Sequence, residues 1–590
     1  MYSGALLGLP AGPIHVAKIG SCALQPQHGC TLGQLPKQLA RHARPERRKR
    51  LQWPCQVSDH TGTQPQAAVT AERATADNGH QAKAKEQNRD QAEEESEFVW
   101  TRNWYPVGIA ADLDKRRPHE VVLLGKQLVL WWAPEGSWVA FEDRCPHRLA
   151  PLSEGFIHPQ NQRLVCAYHG WTFSGDSHCM NIPQADSLQL EDAARTNPRA
   201  CATAYPARVE AGLVFVWPDA AETRFVDAAA SPLPIPPGMQ ADLAKEDIYL
   251  RDLPYSYDVL VENLVDPSHL PISHHGQYGQ DQADATALQM KPAASPVMAG
   301  FDPTVAFQFQ PLSTSPLSLG AGTQQVEFHA PSLIWYHGSE TERPAPDLVL
   351  YAVPTMAGRC RIFQSIVPRK TAAHAGFGSQ ARGLLAAAAK PTQLLSMLVG
   401  YGPGTPKWVR HLEGLDVDDG DAIILNHQDR LLQTDKAAGR AWEESCFIPT
   451  SADRGLSAVR RWLSQAKAER FSPPGSTLPL TRKKLLDRYE QHVRKCPHCS
   501  KALKFFDTFH YACRFLAQAL CTSALMLFII SVGLQNTIPL GAESLFAAIT
   551  PYTRKFVLAG AIFAVISWFV CNKIIPRFHY VDYVHSGRHG

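Results

Sequence analysis

The stretch that decides the fold is Cys145-Pro-His-Arg148, together with a second segment, Cys166-Ala-Tyr-His-Gly-Trp171. Eighteen residues separate His147 from Cys166. Each segment offers one thiolate and one imidazole within a short loop, so the two loops supply a Cys2His2 ligand set. A structural zinc ion accepts the same four ligands, and a zinc knuckle is the alternative interpretation. Pro146 stiffens the first loop, and Gly170 allows a sharp turn in the second.

The division of the ligands between two loops favours an iron–sulfur cluster over zinc. A Rieske [2Fe–2S] cluster binds one iron through two thiolates and the other through two imidazoles, which raises its reduction potential above that of an all-Cys ferredoxin. Cys145, His147, Cys166 and His169 match that division. The two loops resemble the cluster loops of Rieske non-haem iron oxygenases, and a β scaffold is expected to hold them.

Size and composition describe an ordinary globular protein. The 590 residues are enough for three or four domains, and a net charge of +3 with 19% charged residues shows no bias toward nucleic acid. The 14 cysteines form no evident disulfide framework. We therefore expect a reducing compartment.

The amino-terminal part of the chain is basic and then polar. Residues 1–50 contain eight Lys or Arg and only one acid, which predicts an organelle transit peptide. A disordered basic arm that binds anionic lipid or nucleic acid is the alternative. Residues 51–97 are too polar to bury a core and are expected to be a disordered linker.

Short apolar runs from residue 98 onward predict an α+β protein with two folded domains. A Rieske β domain is expected over 98–220 and an α+β catalytic domain with an antiparallel sheet over 240–470. The predicted strands are 121–124, 128–132, 138–141, 213–218, 348–353 and 361–367. The predicted helices are 393–399 and 455–464.

A second chemical centre lies in Asp266-Pro-Ser-His-Leu-Pro-Ile-Ser-His274. Asp266 and His269 are spaced i, i+3 and are expected to share one helical turn, which Pro271 then breaks so that His274 approaches from the other side. Taken alone, the pattern also fits a core turn or a zinc site. Beside a Rieske pair it indicates Fe(II) bound by two imidazoles and a carboxylate, with positions left open for O2 and substrate.

The carboxylate ligand must come from far along the chain, and Asp421 is the best candidate. It precedes the apolar run 422–425, which we interpret as a strand, much as the third ligand does in the resembling oxygenases. Asp418 and Asp419 are the rivals, and a solvated acidic turn is the alternative.

Residues 471–510 contain the pair Cys496-Pro-His-Cys499. Two closely spaced thiols in a reducing compartment indicate either a redox switch or half of a zinc site, which His492 and His498 would complete. We expect a redox switch that thioredoxin controls.

Two apolar runs near the carboxyl terminus predict a membrane hairpin. Residues 515–534 carry no charge, and 556–575 are apolar until Asn572 and Lys573, so each is long enough to cross a bilayer. Basic flanks favour the catalytic domain and the tail on the positive side. A hairpin buried in a soluble core is the alternative.

The leader, the Cys-x-x-Cys pair, the hairpin and the tail 578–585 together resemble the chloroplast pheophorbide a oxygenase group. That group includes the translocon-associated Rieske protein and the protochlorophyllide-linked one, and the likeness covers 98–590. The resemblance implies a ferredoxin-dependent oxygenase that acts with O2 on a chlorophyll-derived tetrapyrrole. Ring opening of pheophorbide a is the first choice of reaction. It also implies an integral protein of the chloroplast inner envelope or thylakoid.

The resemblance further implies an electron path from a cluster imidazole through a carboxylate to a mononuclear imidazole, usually across a subunit boundary. His169, Asp266 and His269 match these roles, so a homotrimer is expected. The alternatives are a protochlorophyllide or phyllobilin oxygenase, or a non-catalytic Rieske redox sensor attached to chloroplast protein import. Such a sensor would not need Asp266, His269 and His274.

Overall fold

The structure is a computed structural model of the chain. It describes residues 98–236, 239, 248–277, 281–293, 304–309, 324–338, 346–367, 405–537 and 542–585. The transit peptide and linker predicted for 1–97 lie outside the described residues, as does the helix predicted at 393–399.

The first part of the described chain is built from short antiparallel strands. These are β1 (Tyr105–Ile109), β2 (His119–Leu123), β3 (Lys126–Trp132), β4 (Trp138–Glu142), β5 (Phe156–Ile157), β6 (Leu164–Val165), β7 (Thr172–Phe173), β8 (Cys179–Asn181), β9 (Ala204–Tyr205), β10 (Ala207–Glu210) and β11 (Leu213–Val216). They form sheets of order β1-β11-β10, β2-β3-β4-β9 and β5-β6-β7-β8. Two helices, α1 (Leu188–Arg195) and α2 (Arg224–Ala230), accompany them. The four strands predicted here are confirmed to within two residues.

A seven-stranded antiparallel sheet organises the second part. Its strands are β12 (Ile248–Leu253), β13 (Lys291–Pro292), β14 (Val305–Phe309), β15 (Gln324–His329), β16 (Leu333–His337), β17 (Asp347–Met356) and β18 (Arg359–Val367), in the order β12-β18-β17-β16-β15-β14-β13. The helices are α3 (Tyr257–Leu264), α4 (Leu270–Ser273), α5 (Lys407–Ala437), α6 (Trp442–Ser445), α7 (Arg454–Gln465) and α8 (Arg482–Leu485). The α+β class, the strands at 348–353 and 361–367 and the helix at 455–464 are confirmed.

Buried side chains of α3, α5 and α7 share one apolar core with the sheet. Leu260 of α3, Leu425 of α5 and Leu463 of α7 belong to the same cluster as Ile334 and Leu350 of the sheet. Burying a large aliphatic side chain stabilises the fold by about 1.5–3 kcal/mol. This shared core sets the position of α5 over the sheet.

The strand predicted directly after Asp421 is wrong, because residues 422–425 lie inside α5. Ala422 and Leu425 are spaced i, i+3 and are both buried, whereas Ile424 is 37% exposed, which is the pattern of one helical face. Four apolar residues are too few to tell a strand from a helix by periodicity. The alternative of a solvated acidic turn is also wrong, since Asp418, Asp419 and Asp421 are all buried.

The described chain ends in two long apolar helices, α9 (Pro497–Thr537) and α10 (Ala542–Phe569). α10 continues through a π-helical turn, Val570–Ile574, into a 3-10 turn, Ile575–Phe578. Both helices are long and apolar enough to cross a membrane. Only 17% and 22% of their most apolar stretches are buried, which favours the membrane hairpin over a buried core hairpin.

A buried ion network fixes α5 against its neighbours. Asp419 accepts from Arg251 of β12 and from Arg488, with both N–O distances at 2.6 Å, and all three residues are fully buried. Asp416, one turn earlier on α5, pairs with Arg488 at 2.7 Å and with Arg577 at 2.6 Å. The network therefore joins α5 to the sheet and to the segments on both sides of the apolar hairpin.

Replacing Asp419 with Ala is expected to destabilise the protein strongly, because it leaves two buried guanidinium groups without this carboxylate. Breaking a buried pair in this way costs about 3–5 kcal/mol, and we expect the lower end since Asp416 still neutralises Arg488. Thermal unfolding in one detergent is the measurement. Glu443→Ala, at an exposed position of α6, is the control and should leave the melting temperature unchanged. Equal melting of the two variants would show that the network does not stabilise the fold.

Candidate metal centres

The two Cys-His loops have the same local construction. The first follows β4, and the second joins β6 to β7. The N–H of Leu149 donates to Cys145 O at 2.9 Å, and the N–H of Gly170 donates to Cys166 O at 3.0 Å, so each loop closes four residues after its cysteine. Leu149 has φ +63° and Gly170 φ +74°, which supplies the sharp turn predicted for the second loop.

The side chains of these loops converge as a [2Fe–2S] cluster with mixed ligands requires. Cys145 and Cys166 are 1% and 2% exposed, whereas the imidazoles of His147 and His169 lie nearer the surface with ring centroids 4.5 Å apart. Trp171 stacks on His147 at 4.7 Å with an angle of 4° between the ring planes, which fixes the orientation of that imidazole. Two sulfurs inside and two imidazoles outside fit the Rieske division of ligands.

Hydrogen bonds surround both cluster sulfurs and shift one of the two thiols toward the thiolate. The hydrogen bond from Cys145 lowers the pKa of Cys166 to about 6, and the backbone N–H groups of Tyr168 and His169 act in the same direction. The same contact raises the pKa of Cys145, while the backbone N–H groups of its own loop oppose that rise. Backbone N–H groups around cluster sulfurs are one of the means by which a protein sets a cluster's potential.

The second centre brings together His269, His274 and Asp421. His269 ends a 3-10 turn, Pro267–His269, and His274 directly follows α4. Asp421 Oδ2 lies 3.3 Å from His274 Nε2 and 4.0 Å from His269 Nε2. One carboxylate oxygen facing two imidazole nitrogens fits a single ion bound by two His and one carboxylate.

The expected helical turn shared by Asp266 and His269 is a 3-10 turn instead, and Pro271 does not break it. Asp266 is the N-cap of that turn, and its Oδ1 accepts from the N–H of Ser268 at 2.8 Å. Pro271 lies in the first turn of α4, where its missing N–H removes no helical bond. The expected approach of His274 is still achieved, because α4 carries it round to Asp421.

Charge at this centre favours an ionised carboxylate. Burial alone would raise the pKa of Asp421, but the charge and hydrogen bond of His274, followed by the charge of His269, lower it below its ordinary value. The Oγ of Ser273 also donates to Asp421 Oδ1 at 3.2 Å. The hydroxyl of Ser273 in α4 therefore holds Oδ1 of Asp421, while Oδ2 faces the two imidazoles.

The rivals Asp418 and Asp419 point elsewhere. Asp418 Oδ2 accepts from the hydroxyl of Tyr249 at 2.8 Å, and burial raises the pKa of Asp418 to about 6. Asp419 lies between Arg251 and Arg488 in the ion network. Of the three carboxylates, Asp421 is the one that the structure brings to the imidazoles.

Sequence reasoning gave no role to the tail, which reaches this centre. The hydroxyl of Tyr583 donates to Ser273 O at 2.7 Å, and His585 Nε2 lies 3.1 Å from Gly420 O. A Cβ added to Gly420 would lie 2.9 Å from Tyr583 Cζ, so glycine beside Asp421 admits the Tyr583 ring. The signal was available in the sequence as the aromatic tail 578–585 and as the Gly between two aspartates.

The Cys-x-x-Cys pair also meets two histidines, although His498 is not one of them. Cys496 and Cys499 lie with His492 and His411, whose ligand atoms are all within 4.8 Å of one another. His498 faces Asp112 instead, with Nε2 3.3 Å from Oδ1. His411 lies on α5, 81 residues before His492, and sequence spacing gave no sign of it.

Comparison with known proteins agrees with the Rieske cluster loops and with the mononuclear iron centre. The Rieske [2Fe-2S] domain family matches residues 103–193, and the Pheophorbide a oxygenase family matches residues 328–438. The chain is 31% identical over 509 residues to the chloroplastic pheophorbide a oxygenase of Oryza sativa subsp. japonica, covering 83% of this chain and 86% of that protein.

Two further relatives match over a similar length. Flavonoid 8-hydroxylase 2 of Ocimum basilicum is 30% identical, covering 84% of this chain and 86% of that protein. Protochlorophyllide-dependent translocon component 52 of Arabidopsis thaliana is 29% identical, covering 83% and 86%. This chain therefore belongs to the pheophorbide a oxygenase family of Rieske oxygenases, whose cofactors are a [2Fe–2S] cluster and a mononuclear non-haem iron.

Proposed function

We propose that this protein is a ferredoxin-dependent oxygenase that opens the macrocycle of pheophorbide a in chlorophyll breakdown. The observation that carries the proposal is the convergence of His269, His274 and Asp421 in a chain that also holds both cluster loops. A non-catalytic Rieske electron carrier or redox sensor would need the loops alone. The 31% identity to the rice pheophorbide a oxygenase supports the choice of substrate.

Each side chain has a role in this proposal. Cys145 and Cys166 would bind one cluster iron, and His147 and His169 would bind the other. His269, His274 and Asp421 would bind the mononuclear iron. When bound, these groups supply electron transfer and the activation of O2.

The protein's own contribution at the mononuclear centre is to fix three ligands on one face. Asp421 is held by the hydroxyl of Ser273, whose carbonyl is in turn held by Tyr583. Such outer contacts orient the ligands of a metal and tune its properties. Asn263 Nδ2, 3.4 Å from His269 Nε2, is a further polar group that could orient a bound molecule.

We infer that Asp266 connects the two centres. Its Oδ1 is occupied by Ser268, whereas its Oδ2 faces His269 Nδ1 at 3.7 Å. The Asp266 side chain is 28% exposed, so the same carboxylate also reaches the surface. We infer that a cluster imidazole of a second copy docks there, which makes the active enzyme a homotrimer if the path crosses chains as in resembling oxygenases.

The setting of the enzyme follows from α9 and α10. We propose that they anchor the catalytic domain to a chloroplast membrane, either the inner envelope or the thylakoid. Apolar pigment is concentrated in such a membrane. Reduced ferredoxin would supply electrons from the aqueous side.

Replacing Asp421 with Ala should remove the mononuclear iron and spare the cluster. Iron content is expected to fall from about three to about two per chain, with the electron paramagnetic resonance signal of the reduced cluster unchanged. Asp418→Asn is the matched control on the same helix and should keep all three irons. Full iron content in Asp421→Ala would move the ligand assignment to Asp418 or Asp419, and selective loss of the mononuclear iron in Asp418→Asn would point to Asp418.

Replacing Asp266 with Asn should keep both metals but slow turnover by about 10–100-fold, because the amide carries no charge toward His269. Reoxidation of the reduced cluster, followed by stopped flow in the presence of substrate, is the direct measurement. Ser268→Ala is the control, since it removes one hydrogen bond to Asp266 and leaves the charge. If Asp266→Asn reoxidises the cluster at the rate of the parent protein, Asp266 only caps the 3-10 turn and does not take part in electron transfer.

The substrate assignment predicts that ferredoxin-reduced protein consumes O2 when pheophorbide a is added. The product should be a linear tetrapyrrole that carries oxygen from 18O2, as mass spectrometry would show. Protochlorophyllide, a phyllobilin and a flavonoid are the comparison substrates, since the names of two relatives contain protochlorophyllide and flavonoid. Turnover of one of these without turnover of pheophorbide a would keep the oxygenase and reject this substrate.

A further inference from the structure

A third group of potential metal-binding side chains is separate from the residues of both iron centres. His411 belongs to α5 and His492 to the π-helical turn Tyr489–Val493, whereas Cys496 directly precedes α9 and Cys499 lies in its first turn. The exposed fractions of the four residues are 4%, 2%, 6% and 0%, in that order. They are surrounded by an apolar cluster that includes Leu412, Leu415, Val493 and Phe578.

The donor atoms of these four residues converge on one point. His411 Nδ1 lies 3.3 Å from Cys496 Sγ and 3.6 Å from Cys499 Sγ, and His492 Nε2 lies 3.3 Å from Cys499 Sγ. All four ligand atoms fall within 4.8 Å of one another. A metal with bonds of about 2.0–2.3 Å holds tetrahedral ligands at separations of this order.

The second ring nitrogen of His492, Nδ1, has the hydrogen-bond partner that is usual for a metal-binding imidazole. Its Nδ1 lies 2.5 Å from the backbone carbonyl of Leu250 in β12. A carbonyl only accepts, so Nδ1 carries the proton and Nε2 presents its lone pair toward Cys499. An imidazole whose second nitrogen donates to a backbone carbonyl is the common arrangement around protein-bound zinc.

We propose that His411, His492, Cys496 and Cys499 bind one structural zinc ion. Two thiolates and two imidazoles without an open position form a closed tetrahedral set, which is the composition of structural zinc sites. Binding would release the two thiol protons and leave both imidazoles neutral. The ion would stabilise four groups that otherwise stand buried in apolar surroundings.

Burial separates this proposal from the redox switch expected from the sequence. Thiol–disulfide exchange requires a thiolate of the reductant to reach one of the sulfurs. Redox-sensor cysteines are accordingly accessible, whereas Cys499 is fully buried and Cys496 is nearly so. The geometry favours a closed metal site over a pair that thioredoxin can reach.

The zinc ion would tie the catalytic helix to the membrane hairpin. His411 lies ten residues before Asp421 on α5, about 15 Å along the helix axis. Cys496 and Cys499 stand where α9 begins, and His492 is bonded to β12. One ion thus joins the sheet, the helix that carries the carboxylate ligand and the first membrane helix.

Metal analysis of the purified full-length protein in detergent tests the proposal. We expect about one zinc per chain in addition to the irons, and zinc X-ray absorption should show two sulfurs at about 2.3 Å and two nitrogens at about 2.0 Å. Cys499→Ser and His411→Ala should each lower zinc content about tenfold or more. His411→Cys converts the set to Cys3His and should retain zinc, which separates loss of a ligand from loss of the fold.

Two controls complete the experiment. His498→Gln changes the histidine next to Cys499 that faces Asp112, and Cys513→Ser changes another buried cysteine of α9, so both should keep zinc. A parent protein without zinc, in which mass spectrometry finds a disulfide between Cys496 and Cys499 that thioredoxin reduces, would overturn the proposal. Iron in place of zinc in these four ligands would overturn it as well. Neither outcome depends on the pigment that the enzyme oxidises.

Discussion

The position of α5 is the constraint on which the rest of the structure depends. Three carboxylates lie within one turn of this helix, and each has a different buried partner. Asp419 binds two guanidinium groups, Asp418 accepts from Tyr249, and Asp421 faces the imidazoles of the mononuclear centre. Because a buried charge without a partner is costly, Asp419 and its arginines fix the register of the helix. That register aims Asp421 at His269 and His274.

The two iron centres are built by different physical means. The cluster loops are local, since each thiolate and its imidazole lie within four residues and one backbone hydrogen bond closes each loop. The mononuclear centre is assembled from distant parts of the chain, namely the turn before α4, the middle of α5 and the tail after α10. Its geometry therefore depends on packing of the whole second part. This difference explains why the ion network and the tail matter for one centre and not for the other.

Local features were predictable from the sequence, and long-range ones were only partly so. A few neighbouring residues are enough to indicate the cluster ligands at Cys145 and Cys166. The same holds for the paired imidazoles of His269 and His274. Asp421, the carboxylate expected to meet them, does lie beside both imidazoles, although its helix was taken for a strand because a run of four apolar residues has no readable period. The alternative zinc set named His498 because it lies inside the Cys-x-x-Cys pair. Cys496 and Cys499 both lie beside His411 and His492, whereas His498 faces Asp112, so His411 supplies the second imidazole from another helix.

Mössbauer spectroscopy of the full-length protein enriched in 57Fe tests the account most directly, because it counts iron by environment. The central claim is that one chain holds both a Rieske cluster and a separate mononuclear iron. The account predicts that the reduced protein shows the two irons of the cluster and one further high-spin ferrous iron, in a ratio of about two to one. A spectrum with the cluster irons alone, in protein with a complete cluster, would contradict it.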